Sequence, residues 1–196
     1  MKKALVIVAH PDDETIWMGG TILEKDYDWT ILSLCRSEDE DRAPKFVRVC
    51  KKLNAKPIIS NLDDEVLDDL PIDEVKDFIM KNISDYNYDV IYTHGENGEY
   101  GHKRHKECHK AVVSLVGENI LRTKELICFN YINSNKLVPG LDLKIAIPNE
   151  NSGIIINLNE DLHKKKIDLV TEVYGFDKKS FEALCCNEKE SFKNIK

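Results

Sequence analysis

Short β-branched runs alternate with helical patterns along most of this chain, and that alternation restricts the fold more than any other feature. Strands read at about 4–9, 29–35, 57–62, 89–94 and 125–132, with helical patterns between them at about 14–25, 42–54, 71–83 and 102–116. Each helical stretch is long enough for the crossover that parallel pairing needs. The expectation is therefore an α/β fold: a Rossmann-like three-layer sandwich around a mostly parallel sheet, with right-handed connections. Pro71 stands where a first helical residue is expected, with Asp69 close before it. Beyond about 133 the pattern weakens into a turn-rich stretch to Asn151, then a strand at Ile154 to Leu158 and a Lys-rich helix at about 160–174. No linker, repeat or low-complexity tract divides the chain, so one domain over 1–196 is expected.

Charge and composition remove several classes of function. The formal net charge is −7, there are only five Arg, and the longest basic run is Lys164-Lys165-Lys166, so the basic footprint that nucleic acid requires is missing. No apolar run approaches the roughly 18–20 residues of a membrane span. The apolar run Ala4 to Ala9 ends at His10-Pro11-Asp12-Asp13-Glu14 instead of a small-residue cleavage site, and so reads as a first strand and not as a leader. The six Cys include no Cys-x-x-Cys pair and sit mostly in apolar contexts, which points to buried free thiols and a cytoplasmic setting. A homo-oligomer is compatible with a chain of this size, but no segment selects one.

In open parallel sheets, ligands bind beyond the carboxyl ends of the strands. Two polar clusters stand at such ends. The first, His10-Pro11-Asp12-Asp13-Glu14, crowds three carboxylates and an imidazole at a strand-to-helix turn, which is costly without a cation. A helix cap uses one carboxylate and gives no reason for His10. His10 and Asp13 can supply a nitrogen and an oxygen to one metal ion, leaving Asp12 to accept a proton. The Gly19-Gly20 pair inside the following helix implies an interruption or, preferably, close packing against another backbone. No Gly-x-Gly-x-x-Gly follows the strand, so a dinucleotide is excluded.

The second cluster runs from His94 to His109 and holds four of the six His. At about 100° per residue, a helix starting near His102 places His102, His105 and His109 on one face. Strands one and four are neighbours in the usual doubly wound order, so the clusters meet at the topological switch point, where two His and one Asp make a three-ligand site.

These residues resemble the LmbE-like, or PIG-L, zinc-dependent de-N-acetylases, the N-acetylglucosaminyl de-N-acetylases related to the deacetylases of mycothiol and bacillithiol synthesis. Ala9 to Glu14 matches that family's first motif, and Gly98-Glu99-Tyr100-Gly101-His102-Lys103-Arg104-His105 its second. The resemblance implies Zn²⁺ held by His10, Asp13 and His105, with Asp12 as general base. It also implies that His102 stabilises the oxyanion or protonates the leaving amine, that Tyr100 assists, and that Arg42 binds substrate. Fe²⁺, Co²⁺ or Mn²⁺ suit the same donors. The implied activity is removal of an acetyl group from an N-acetylated amino sugar or sugar conjugate; the alternative is a metal-binding module without turnover, such as a sensor or a subunit of a complex.

Two departures from the family pattern stand out. Lys103-Arg104 replaces the usual Pro-Asp, removing a carboxylate beside His102 that Glu96, Glu99 or Glu107 would have to replace. The family's C-terminal His-Ser-Gln-like element is missing. The acidic runs Glu38 to Asp41 and Asp63 to Glu65 read as solvated loops, the latter with a secondary reading as an acceptor for a substrate hydroxyl.

Overall fold

The computed structural model describes residues 1–66, 68–151 and 153–196. Its first half follows the alternation: β1 (Lys2–Val8), α1 (Asp13–Glu24), β2 (Tyr27–Cys35), α2 (Arg42–Lys52), β3 (Ala55–Leu62), α3 (Ile72–Asn82), β4 (Asn87–Thr93), α4 (Lys103–Gly117) and β5 (Arg122–Phe129). Then come β6 (Tyr131–Leu137), β7 (Lys144–Pro148), β8 (Ile154–Asn157), α5 (Glu160–Asp168), a π-helical turn at Leu169–Val173, α6 (Phe181–Leu184) and β9 (Lys189–Asn194).

The main sheet runs β3-β2-β1-β4-β5-β9-β8. Its first five strands pair in parallel, while β9 lies antiparallel to both β5 and β8. Alternate residues of β1 enter different cores: Ala4, Val6 and Val8 pack with Trp17, Phe46 and Tyr174, whereas Leu5 and Ile7 pack with Val75, Ile79 and Val112. A strand buried on both faces reads as a continuous apolar run because each face needs its own apolar side chains. The three-layer expectation holds.

Three local expectations are corrected. The fifth strand does not continue to 132: it ends at Phe129, and Tyr131 opens a separate two-stranded sheet with β7. Pro71 caps α3 from outside the helix. The Gly19-Gly20 stretch marks an interruption, since Met18 (φ −148°) breaks α1, and the pair packs against the side chains of Thr15, Lys166 and Leu158 instead of another backbone. The broken helix exposes the amides of Gly20 and Thr21, and the Glu190 carboxylate of β9 accepts from both at 2.8 Å. A Cβ on Gly20 would lie 2.3 Å from the Leu158 side chain, so a larger residue here would have to displace that leucine. Lys166 neutralises Glu190 at 2.8 Å, and both are fully buried.

Candidate active site

Four polar groups of the site leave the carboxyl ends of parallel strands, His10 after β1, Arg36 after β2, Asp64 after β3 and His94 after β4, while Asp13, Arg42 and His105 come from the first turns of α1, α2 and α4. β1 and β4 are neighbours whose following helices cover opposite faces, which opens the crevice where the sequence clusters meet.

His10 Nδ1, Asp13 Oδ2 and His105 Nε2 form a triangle with sides of 3.2, 3.2 and 3.4 Å. Two ligand atoms about 2.0–2.1 Å from a tetrahedral zinc lie roughly 3.3–3.4 Å apart, so the triangle has the edge such an ion requires. The outward nitrogens are also engaged. His10 Nε2 meets Asp64 Oδ1 at 2.9 Å, and His105 Nδ1 meets Glu99 Oε2 at 2.6 Å. Imidazoles that donate their outer N–H to a carboxylate keep the inner nitrogen's lone pair free for a cation. Asp13 is steadied by Trp17 Nε1, which donates to Oδ1 at 2.8 Å.

His94 is also near, its Nε2 lying 3.5 Å from Asp13 Oδ2, but that nitrogen accepts the Ala9 amide at 2.9 Å and its lone pair is spent. His109, on the helix face expected to point inward, bonds instead to the His94 carbonyl at 2.8 Å.

Asp12 caps α1 with φ 127°, an unfavourable backbone conformation that costs about 1–3 kcal/mol for a residue with a side chain. Burial and the neighbouring Asp13 raise its pKa well above the usual carboxylate value. Its Oδ2 pairs with Arg42 Nη1, and the Arg42 guanidinium stacks 4.4 Å above the Phe176 ring. Arg42 thus lines the pocket but is held against Asp12.

The His102 ring stands edge-on to His10 at 4.7 Å and beside Tyr100 at 5.6 Å. Burial and the adjacent imidazoles lower its pKa to about 3, which leaves a neutral ring at neutral pH. Neither Glu99 nor Glu107 replaces the lost carboxylate, and His102 Nδ1 finds no partner among the described residues. Burial raises the Tyr100 pKa, so its phenol keeps its proton. Tyr100 packs on Phe181 at 4.5 Å, and Phe181 and Glu182 bring the C-terminal segment to the pocket wall.

Two residues gain a role that sequence reading missed. Asp64, in the run read as a solvated loop, holds His10 and accepts from Arg36 Nη2 at 2.7 Å. Arg104, in place of the family's Asp, is buried and ties down the same loop through the Asp63 carbonyl (2.6 Å) and the Asp68 carbonyl (2.9 Å), while Glu107 of its own helix pairs with it at 2.6 Å.

Glu14 completes the first motif beneath the pocket. Burial pushes its pKa up from 4.5 to about 7, against the pull of hydrogen bonds from Thr15 and Tyr174. Because the folded value exceeds the unfolded one, the native state binds the extra proton. Its contribution is full below pH 4.5 and is lost as pH rises through 7, a difference of about 3 kcal/mol. Glu14→Gln should flatten the fall in stability between pH 5 and 8, as read from urea midpoints of both proteins. Parallel pH curves would contradict the assignment.

Residues 5–116 match the family model described as PIG-L: GlcNAc-PI de-N-acetylase. The chain belongs to this family. It is 23% identical over 156 residues to uncharacterized protein L374 of Acanthamoeba polyphaga mimivirus, a match covering 71% of this chain and 66% of that protein, just under two thirds of its length. Among solved structures it resembles the conserved protein TT1542 from Thermus thermophilus (TM-score 0.64, 15% identity, 98% of this chain and 94% of that one). It also resembles the A40926 pseudoaglycone deacetylase Dbv21 (TM-score 0.60, 13% identity, 89% and 82%). A third likeness is to a deacetylase triple mutant of the teicoplanin biosynthetic pathway (TM-score 0.61, 12% identity, 88% and 81%). At these identities the structural likeness establishes the fold, and the PIG-L match establishes the family.

Proposed function

We propose that this PIG-L chain is, as a single domain over 1–196, a metal-dependent amidohydrolase that removes an acetyl group from an N-acetylated amino sugar or related metabolite. The observation that carries this reading is the donor triangle of His10, Asp13 and His105, with Asp12 beside it and outside it. Zn²⁺ suits this two-nitrogen, one-oxygen set, and Fe²⁺, Co²⁺ or Mn²⁺ remain compatible with it. When bound, such an ion supplies Lewis acidity and lowers the pKa of a coordinated water to about 7.

The chain's own residues supply the rest. Asp12, with its raised pKa, accepts the proton of the attacking water. The neutral His102 and the protonated Tyr100 donate hydrogen bonds to the carbonyl oxygen as charge develops on it. Arg42 and Arg36 line the pocket and offer guanidinium forks to substrate hydroxyl or carboxylate groups. The six buried free cysteines suit a reducing compartment such as the cytoplasm. Among the described residues no helix is long and apolar enough to cross a membrane. The second reading, metal binding without turnover, draws support from the Arg42–Asp12 pair, which occupies the proposed base.

Acetate release from a panel of N-acetylated amino sugars, using protein of known metal content, tests the proposal. About one zinc per chain is expected, with activity removed by a chelator and restored by zinc. A chain that binds no metal refutes the reading, and one that binds zinc but releases no acetate from the panel favours the second reading.

A further inference from the structure

Glu99 lies in the loop before α4, is 1% exposed, and takes the left-handed backbone conformation (φ 55°). A buried carboxylate in a strained position needs partners, and the structure gives it three N–H donors. Gly95 N donates to Oε1 at 2.7 Å, while His94 Nδ1 and His105 Nδ1 meet Oε2 at 2.8 and 2.6 Å. The two imidazoles stack with centroids 3.9 Å apart.

The proton positions follow from the donors. Ala9 N–H donates to His94 Nε2, so the His94 proton sits on Nδ1, facing Glu99. As a carboxylate Glu99 only accepts, so with Gly95 N–H on Oε1 and both imidazoles on Oε2, His105 also carries its proton on Nδ1 and turns the Nε2 lone pair into the triangle. We propose that Glu99 is a positioning residue that fixes the tautomer of His105. Through His94 and the Ala9 amide, it also ties the α4 ligand to the β1 end that carries His10. This inference rests on the cation-holding reading of the triangle.

Three donors on two oxygens can be met only by a carboxylate. In Glu99→Gln the amide nitrogen must face either Gly95 N–H, donor against donor, or the two imidazoles. In the second case His105 moves its proton to Nε2 and loses the lone pair directed at the cation, while His94 Nε2–H would oppose the Ala9 amide.

Two measurements test this, and neither needs a substrate. Long-range ¹H–¹⁵N spectra of the chelator-treated protein report the histidine tautomers, and competition with a chromophoric chelator reports zinc affinity. The expected results are Nδ1–H tautomers for His94 and His105 in the unsubstituted protein, and zinc binding weakened roughly 10–100-fold in Glu99→Gln with far-UV dichroism unchanged. A structural role alone would not move the tautomer. An Nε2–H tautomer at His105 in the unsubstituted protein overturns the inference, whether or not the variant folds. So does a folded Glu99→Gln chain that binds zinc within two-fold of the original affinity. If both expected results appear while no acetate is released, the Glu99 inference stands and the deacetylase reading falls.

Discussion

Asp12→Asn is expected to lower deacetylation by about 10²–10⁴-fold while leaving zinc at one per chain, because general acid–base groups contribute rates of that order. The substitution keeps size and shape but removes the ability to accept a proton. It also suits the backbone, since Asn tolerates the positive φ at this position better than most residues. The metal triangle does not use Asp12: Asp13 Oδ2 faces the two imidazoles and Oδ1 accepts from Trp17, while the Asp12 carboxylate faces Arg42. Loss of zinc in the variant would show that the two aspartates share one role. A rate within ten-fold of the original would remove Asp12 as the base. Losing the anionic partner also frees the Arg42 guanidinium, so a change in KM accompanying the fall in kcat would mark Arg42 as a substrate contact.

The meeting of the two clusters is legible in the sequence because each is a short local motif that follows a strand, while the choice of His105 among the three histidines of the second helix comes from the family resemblance. That strands one and four are neighbours is the usual doubly wound order, and β1 does pair with β4. Asp64 is not legible. It acts across 54 residues on His10, and Asp63 and Glu65 on either side make it look like part of a solvated run. Only the fold, with Arg104 pinning that loop, turns one of three similar acids inward. Glu99 is one of several glutamates that the sequence offers to His102; the structure spends it on His94 and His105. The last strand is hidden for a related reason. Lys189-Glu190-Ser191-Phe192-Lys193-Asn194 reads as polar, yet Glu190 and Ser191 are fully buried, because their partners come from distant elements.

The Glu190 site sets the largest stability effect. Lys166→Met should destabilise the fold by about 3–5 kcal/mol, because removing one partner of a buried ion pair leaves an uncompensated charge. Gly20 N, Thr21 N and Thr21 Oγ1 still donate to Glu190 in that variant, but none carries the positive charge that Lys166 supplies at 2.8 Å. In a chain of this size the loss corresponds to a Tm lower by about 6–20 °C. Adding Glu190→Gln to the variant should recover part of it, so the double-mutant cycle should show a coupling well above 1 kcal/mol. A cost below about 1 kcal/mol for Lys166→Met would mean that water reaches the pair. The effect should also stay separate from the site. The break at Met18 divides α1, and its first half is held independently by Trp17 Nε1 on Asp13 (2.8 Å) and by Tyr131 Oη on the Trp17 carbonyl (2.7 Å). Zinc stoichiometry measured well below the lowered Tm should therefore match the original protein, and a parallel loss of zinc would show that the two halves of α1 move as one.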